Sequence, residues 1–186
     1  MTFPVRAAVL LIVLAISGSC PGMATVLLAD AHGFHVEHEV RVAVPPEVAY
    51  DRFTGDVSPW WDHHFSEQPH ALVIEPEIGG RFYEEFDAEG NGVRHATVIA
   101  ADRGRLLRMQ GALGLAGYPL EMVHTLRFSA VEGGTRVTLE VRAWGVIEEG
   151  WATAIDAVWR HFLVERYKPW AEGRLKTDAP ESSEQR

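Results

Sequence analysis

Apolar and polar residues alternate with a period of two from Phe34 to Val44. One face of this segment carries Phe34, Val36, His38, Val40, Val42 and Val44, and the other carries His35, Glu37, Glu39 and Arg41. The pattern predicts a strand that is buried on one side.

Pro45-Pro46 ends this strand, and Pro46 suits the first turn of a helix with an apolar stripe over Val48, Ala49, Tyr50 and Phe53. Ser58-Pro59 predicts a second short helix, which would carry Trp60 and Trp61. Six strand-like runs follow: His70–Glu75, Arg81–Phe86, Val93–Ala101, Arg105–Gly111, Tyr118–Ser129 and Thr135–Trp144. The glycine-rich turns between them predict antiparallel hairpins rather than βαβ units.

The period changes between Gly150 and Lys168, where apolar residues recur every three or four positions: Trp151, Ile155, Val158, Trp159, Phe162 and Tyr167. This predicts a long amphipathic helix, which Pro169 should kink or end and for which Gly173 is a candidate stop. The polar residues 177–186 predict a disordered tail. The order of elements predicts an α+β domain over residues 34–173, with one face of an antiparallel sheet buried against helices.

The N-terminal residues 1–31 have the composition of a secretory signal, with Arg6, the apolar run Ala7–Ile16 and then a helix-breaking segment. Ala29-Asp30-Ala31 is the first candidate cleavage site and Gly22-Met23-Ala24 the second. Two alternatives are open: residues 7–29 anchor the protein in a membrane, or Cys20 is lipidated. All three place the domain outside the cytoplasm, periplasmic or secreted.

The net charge of −9 over 186 residues, with no basic cluster, argues against nucleic acid and against anionic lipid headgroups as partners. Membrane contact is therefore expected only through the N-terminal segment, and the protein is expected to be a monomer or a weak dimer. Cys20 is the one cysteine, so the domain has neither a disulfide framework nor a thiol nucleophile.

The sequence resembles the START-like or SRPBCC superfamily, in the branch that groups homologues of the activator of Hsp90 ATPase with polyketide cyclase-like proteins. The resemblance rests on VAVPPEVAYDRF at Val42–Phe53, SPWW at Ser58–Trp61, Gly79-Gly80-Arg81-Phe82, Gly133-Gly134-Thr135 and the helix from Trp151 to Phe162. It implies a helix-grip fold, in which a curved antiparallel sheet wraps around a long C-terminal helix and encloses a hydrophobic cavity. It does not imply one chemistry, because members bind lipids, hormones or polyketides, catalyse cyclisation or contact a chaperone.

Strand parity places three ionisable residues on apolar faces: His124 in the row Tyr118 to Phe128, His38 in the first strand, and Glu84 between Phe82 and Phe86. Each could orient a polar group of a ligand or act in acid–base chemistry, or be a hydrogen-bonded core residue. The predicted ligand-binding residues are His124, Met122, Trp61, Phe82, Glu84, His38, Met109, Trp144, Trp159 and Phe162.

Asp62-His63-His64 and His70 could supply metal ligands, but adjacent histidines point apart and no ligand motif fixes their geometry, so a solvated loop is expected. No nucleotide-binding fingerprint occurs, so neither a metal nor a cofactor is expected. Gly111–Gly117 is expected to form a flexible apolar loop at the cavity mouth.

A small hydrophobic molecule or lipid is the expected partner, and binding ranks above catalysis because no nucleophile with an attending base can be named. The alternatives are a cyclase, dehydratase or hydrolase that uses His124 with Glu84 or His38, and a chaperone-activator-like interaction module. Export counts against the last alternative.

Overall fold

The computed structural model describes residues 25–30 and 32–175. The signal-like features Arg6, Ala7–Ile16 and Cys20, and the tail 177–186, lie outside the described residues. Within the described part of the chain, no helix has both the length and the apolar character needed to cross a membrane.

In the described residues, nine strands form one antiparallel sheet in the order β1-β2-β9-β8-β7-β6-β5-β4-β3. They are β1 Thr25–Asp30, β2 Gly33–Val42, β3 Gly55–Asp56, β4 Ala71–Ile74, β5 Arg81–Glu85, β6 Gly92–Asp102, β7 Leu106–Gln110, β8 Leu120–Val131 and β9 Gly134–Gly145. Every neighbouring pair is antiparallel, which confirms the predicted hairpins. Strands β1 and β3 were not predicted.

Helix α1 spans Pro46–Phe53, with Pro46 in its first turn as predicted. The prediction of a second short helix at Ser58–Trp61 was wrong, because this segment is a turn held by Val57. The amides of Trp60 and Trp61 both donate to the Val57 carbonyl, at 3.0 and 2.8 Å. This turn brings both indole rings into the core, where they are at most 5% exposed.

The C-terminal helix runs without a break through α2 (Trp151–Arg160), a π-helical segment (His161–Tyr167) and α3 (Lys168–Ala171). It continues through Pro169, so it does not end at that residue. In the π-helical segment the Lys168 amide donates to the Leu163 carbonyl, five residues back. The chain then reaches Gly173, whose φ of +69° is the left-handed conformation expected after a helix end.

The sheet and the helices share one core, and strand parity was predicted correctly where the strands are regular. Buried and more exposed residues alternate along β2, with Phe34, Val36, His38, Val40 and Val42 on the inner face. On the helix, Trp159, Phe162 and Tyr167 are each at most 1% exposed. An antiparallel sheet packed against a C-terminal helix is consistent with the helix-grip fold.

Tyr167 connects the C-terminal helix to α1, since its hydroxyl donates to the Ala49 carbonyl at 2.7 Å in a fully buried position. We expect Tyr167→Phe to lower the free energy of unfolding by about 1 kcal/mol, because it removes one buried hydrogen bond and keeps the ring packing. Urea denaturation measures this. An unchanged midpoint would contradict the prediction.

Candidate functional site

His124 lies on the inner face of β8 and is completely buried. Its Nε2 is 3.1 Å from the Gly111 carbonyl, while its Nδ1 is buried and has no hydrogen-bond partner in the described part of the chain. Burial lowers the pKa of His124 to about 4, against the opposing effect of the Gly111 carbonyl. The imidazole is therefore neutral at pH 7 and has one ring nitrogen to offer to a ligand.

His95 was missed by the sequence analysis, and a β-bulge explains why. Phe82 of β5 pairs with Ala96 and Tyr83 with Arg94, so His95 is the extra residue in β6. A bulge breaks the alternation of faces and redirects the side chain of the extra residue. His95 and Ala96 are consequently both buried, although they are consecutive.

Both ring nitrogens of His95 are buried, and neither has a partner with normal hydrogen-bond geometry among the described residues, although Glu84 and the Leu113 backbone lie near the ring. The nearest carboxylate oxygen, Glu84 Oε2, is 3.6 Å from Nε2, which is beyond hydrogen-bond range. Burial lowers the pKa of His95, while Glu84 and the Leu113 backbone act against that shift.

Glu84 is a buried carboxylate that the backbone of a loop stabilises. Its oxygens accept from the Phe65 amide at 2.8 and 3.0 Å and from the Ser66 amide at 2.7 Å. Burial alone would raise the pKa of Glu84, but these donors and His95 outweigh it and lower the pKa. Glu84 therefore carries a negative charge beside His95 inside the domain.

His38 is also buried, but its neighbour is on the helix, where Asp156 Oδ1 lies 3.3 Å from Nε2. Burial lowers the pKa of His38, Asp156 raises it and Arg160 lowers it further, with a net decrease. Strand β9 separates β2 from β8, so His38 is about 10 Å from the row that holds His124. His38 and His124 thus share a face without touching.

Aromatic rings connect these polar residues. Trp61 stacks on Phe162 at 3.9 Å between ring centroids and contacts Phe82 at 4.8 Å and Trp159 at 5.7 Å. Beyond them, Phe82 lies 4.8 Å from the His95 ring, and Trp159 lies 5.5 Å from the His124 ring. Two neutral imidazoles therefore flank one aromatic cluster between the sheet and the helix.

The structure places most of the predicted ligand-binding residues in this region. Met109 pairs with His124 across β7 and β8, and Met109 and Met122 are both fully buried. Trp144 departs from the prediction: it follows the inward-facing Ala143 at the end of β9, on the opposite face, and its side chain is 47% exposed. The structure does not bring Trp144 into the aromatic cluster.

The loop predicted at the cavity mouth contains a 3₁₀ turn, Leu113–Leu115, and Leu113 is buried. At the start of this loop, a Cβ on Gly111 would lie 2.4 Å from the His95 carbonyl. Glycine is therefore required for β6 to approach Gly111 this closely. The Gly111 carbonyl also accepts the hydrogen bond of His124, so Gly111 contacts both His124 and the backbone of His95.

A second polar cluster lies outside the core, where Asp62 meets the C-terminal helix. His161 Nε2 is 2.9 and 3.0 Å from the two Asp62 oxygens, and His63 Nδ1 is 2.9 Å from Oδ1. Burial alone would raise the pKa of Asp62, but these partners and Arg166 lower it. His64 and His70 do not join this cluster: His64 Nδ1 is instead 2.7 Å from the Ser66 carbonyl.

No protein-family model and no curated protein sequence match the chain. Solved structures do match its fold. A protein from Rhodobacter sphaeroides is 23% identical with a TM-score of 0.52, over 75% of this chain and 94% of the other. An uncharacterised protein from Rhizobium leguminosarum is 14% identical with a TM-score of 0.56, over 80% and 97%.

CalU16 from Micromonospora echinospora is 16% identical to the chain, with a TM-score of 0.54 over 88% of this chain and 89% of the other. At these identities the matches show a shared fold and nothing about shared chemistry. That fold is compatible with the START-like resemblance of the sequence.

Proposed function

We propose that the protein is a START-like domain that binds a small, largely hydrophobic molecule between the sheet and the C-terminal helix, and that it belongs to the branch its sequence resembles. One observation carries the proposal: His124 and His95 present buried ring nitrogens without partners in the described structure, beside an aromatic cluster. A buried polar atom without a partner costs about 1–3 kcal/mol. Since His124 Nε2 donates to the Gly111 carbonyl, its free Nδ1 is an acceptor that a ligand hydroxyl could satisfy, whereas His95, with neither ring nitrogen in a normal hydrogen bond, could pair with a hydroxyl or a carbonyl. Such a ligand would remove that cost.

The electrostatics favour a neutral ligand with few polar groups. Lowered pKa values keep His124 and His95 uncharged at pH 7, and the Glu84 charge is compensated by the amides of Phe65 and Ser66. Apolar pockets typically contain a few fixed polar groups that orient the ligand. Ordered water on the free nitrogens is the competing explanation.

The test is to extract the purified protein with organic solvent and identify what is released by mass spectrometry. We expect one compound class, with rings or an acyl chain and one to three oxygen atoms. The absence of any bound molecule, together with no saturable uptake of hydrophobic probes, would refute the proposal.

His124→Leu then tests the site, because leucine keeps approximate bulk and removes both ring nitrogens. Loss of one ligand hydrogen bond should weaken binding of the extracted compound by about 1–3 kcal/mol, which is about five- to 150-fold, in calorimetric titration. Tyr167→Phe is the matched control, since it also removes a buried polar group from the core but outside the site. Unchanged affinity in a folded His124→Leu protein would make His124 a core residue.

A second candidate function is acid–base catalysis in the same site, and the His95–Glu84 pair is the observation that favours it. In the described part of the chain no contact joins His124 to Glu84 or His38, whereas His95 lies 3.6 Å from the Glu84 carboxylate. If His95 is a general base, His95→Gln should lower turnover by about 10²–10⁴ with binding kept. Equal losses in affinity and turnover would indicate binding alone. A chaperone-activator role has no such observation behind it.

We also propose that the domain is exported, on the signal-like composition of residues 1–31. The two candidate cleavage sites differ in their effect on the sheet: cleavage after Ala31 removes β1, whereas cleavage after Ala24 keeps Thr25–Asp30. Strand β1 pairs with β2 from Thr25–Glu37 to Asp30–Gly33. This pairing favours cleavage after Ala24.

We expect N-terminal sequencing of exported protein to read Thr25 first. A chain starting at His32 would show that β1 is dispensable. A retained Met1 would exclude cleavage and leave the membrane anchor.

A further inference from the structure

The surface cluster of Asp62, His63 and His161 has a donor set that the proposed ligand site does not use. Its three ligating atoms lie within 4.8 Å of one another. Two imidazole nitrogens and one carboxylate oxygen are a common ligand set for Zn²⁺, with the fourth position left to water or substrate. Asp62 and His161 are 99 residues apart in sequence, so the fold brings the set together.

From this arrangement we propose that Asp62 Oδ1, His63 Nδ1 and His161 Nε2 bind one Zn²⁺ or a similar divalent transition-metal ion. Oδ1 lies 2.9 Å from His63 Nδ1 and 3.0 Å from His161 Nε2. Bonds of about 2.0–2.1 Å in a tetrahedron put ligand atoms about 3.4 Å apart. A widening of about 0.4 Å, within reach of side-chain rotation, would therefore admit the ion.

Groups behind these atoms hold them in place, as in known metal sites. The other ring nitrogen of His161, Nδ1, lies 3.0 Å from Glu165 Oε2 on the next turn of the helix. Such an imidazole–carboxylate contact orients a metal-ligating histidine and raises its basicity. The Trp61 indole donates to the His63 carbonyl at 2.7 Å, which ties the loop to the aromatic cluster.

Arg166 places a positive charge beside the cluster, and its position is compatible with metal binding. Its Nε lies 3.2 Å from Asp62 Oδ2, so it contacts the carboxylate oxygen that the metal does not need. Carboxylates that ligate metals are themselves usually hydrogen-bonded. Apart from the two imidazoles, Asp62, Glu165 and Arg166 together carry a charge of −1, which attracts a divalent cation.

The experiment is Zn²⁺ titration of the untagged, chelator-treated protein by calorimetry, repeated with Co²⁺ to follow its visible absorption. We expect one ion per chain and a four-coordinate Co²⁺ spectrum. His63→Ala and His161→Ala should each abolish saturable binding. Glu165→Gln, which loses only the orienting contact, should weaken binding by about 10–100-fold.

Two matched variants control for the other histidines. His64→Ala changes the exposed neighbour of His63, and His35→Ala disrupts the other group of possible ligands, His35, Glu37 and Glu140. Both should bind like the parent protein, and circular dichroism should show all variants folded. Binding that survives His161→Ala, or that is lost in His64→Ala or His35→Ala, overturns the proposal, as does the lack of a one-to-one endpoint.

Discussion

We expect Trp159→Ala to lower the free energy of unfolding by about 3–5 kcal/mol, because the substitution empties the centre of the core. Trp159 lies in the middle of the C-terminal helix and is 1% exposed. Its ring contacts Trp61, Phe162 and the His124 imidazole, with centroids 5.5–5.9 Å apart. Truncation removes the buried area and leaves a cavity that the stiff sheet cannot close.

Chemical denaturation followed by circular dichroism measures this change, and Trp144→Ala is the matched control. Trp144 is 47% exposed and belongs to no ring contact in the described structure, so its loss should cost about 1 kcal/mol or less. Trp159→Phe, which keeps part of the packing, should fall between the two. Equal losses for Trp159→Ala and Trp144→Ala would contradict this packing of the helix against the sheet.

The elements most readily predicted from sequence are those in which the periodicity of apolar residues alone decides which side is buried. The regular alternation in β2 identified its buried face because no bulge interrupts the pairing of β2 with β9. The three-residue step from Trp159 to Phe162 identified the buried side of the helix, although Phe162 already lies in the π-helical segment. In both cases the buried residues recur with the period at which side chains return to the same face, two residues in a strand and about 3.6 in a helix.

The errors occur where tertiary contacts override the local pattern. Ser58-Pro59 resembles a helix start, yet the Val57 carbonyl accepts from both tryptophan amides and closes a turn that buries the indoles. Pro169 was expected to kink or end the helix; it does not end it, because the helix passes through Pro169 after a π-helical segment. Local helix propensity contains no information on the burial of Trp60 in the core, which here outweighs the gain from a further helical turn.

The candidate sites show the same division. His124 and Glu84 were predicted because each lies in a regular strand, whereas His95 is the extra residue of a bulge and lost its parity signal. Any two consecutive strand residues are expected on opposite faces, so the sequence carries no signal that His95 and Ala96 are both buried. His161 could not be assigned to Asp62, because 99 residues separate them and no short motif encodes their approach.

The second large effect that we expect is a steep loss of stability in acid, much of which depends on His124. The pKa of His124 is about 4 in the folded protein, whereas an imidazole exposed to water has a pKa of 6.5. Between pH 6.5 and pH 4 the imidazole is protonated in the unfolded chain but not in the folded protein. The free energy of unfolding therefore decreases as the pH is lowered through this range, and the decrease stops below pH 4. The gap between the two pKa values corresponds to about 3 kcal/mol.

His124→Leu removes this group. Between pH 7 and pH 4 the free energy of unfolding of the variant should therefore decrease by about 3 kcal/mol less than that of the parent protein. His38 and His95, whose pKa values are also lowered by burial, remain in the variant and leave it some acid sensitivity. Urea denaturation at a series of pH values gives both curves.

The matched control is Tyr167→Phe, because it also removes a buried polar group from the core, while burial raises the pKa of Tyr167 and keeps its phenol protonated throughout this pH range. Its curve should run parallel to that of the parent protein, whereas the His124→Leu curve should converge on the parent's, or cross it, as the pH falls from 7 to 4. Parallel curves for His124→Leu and the parent would mean that the folded protein accepts a proton at His124 Nδ1, with ordered water as the acceptor for that proton. That outcome would replace a dry imidazole with a hydrated one and would favour ordered water over a ligand as the partner of its free nitrogen.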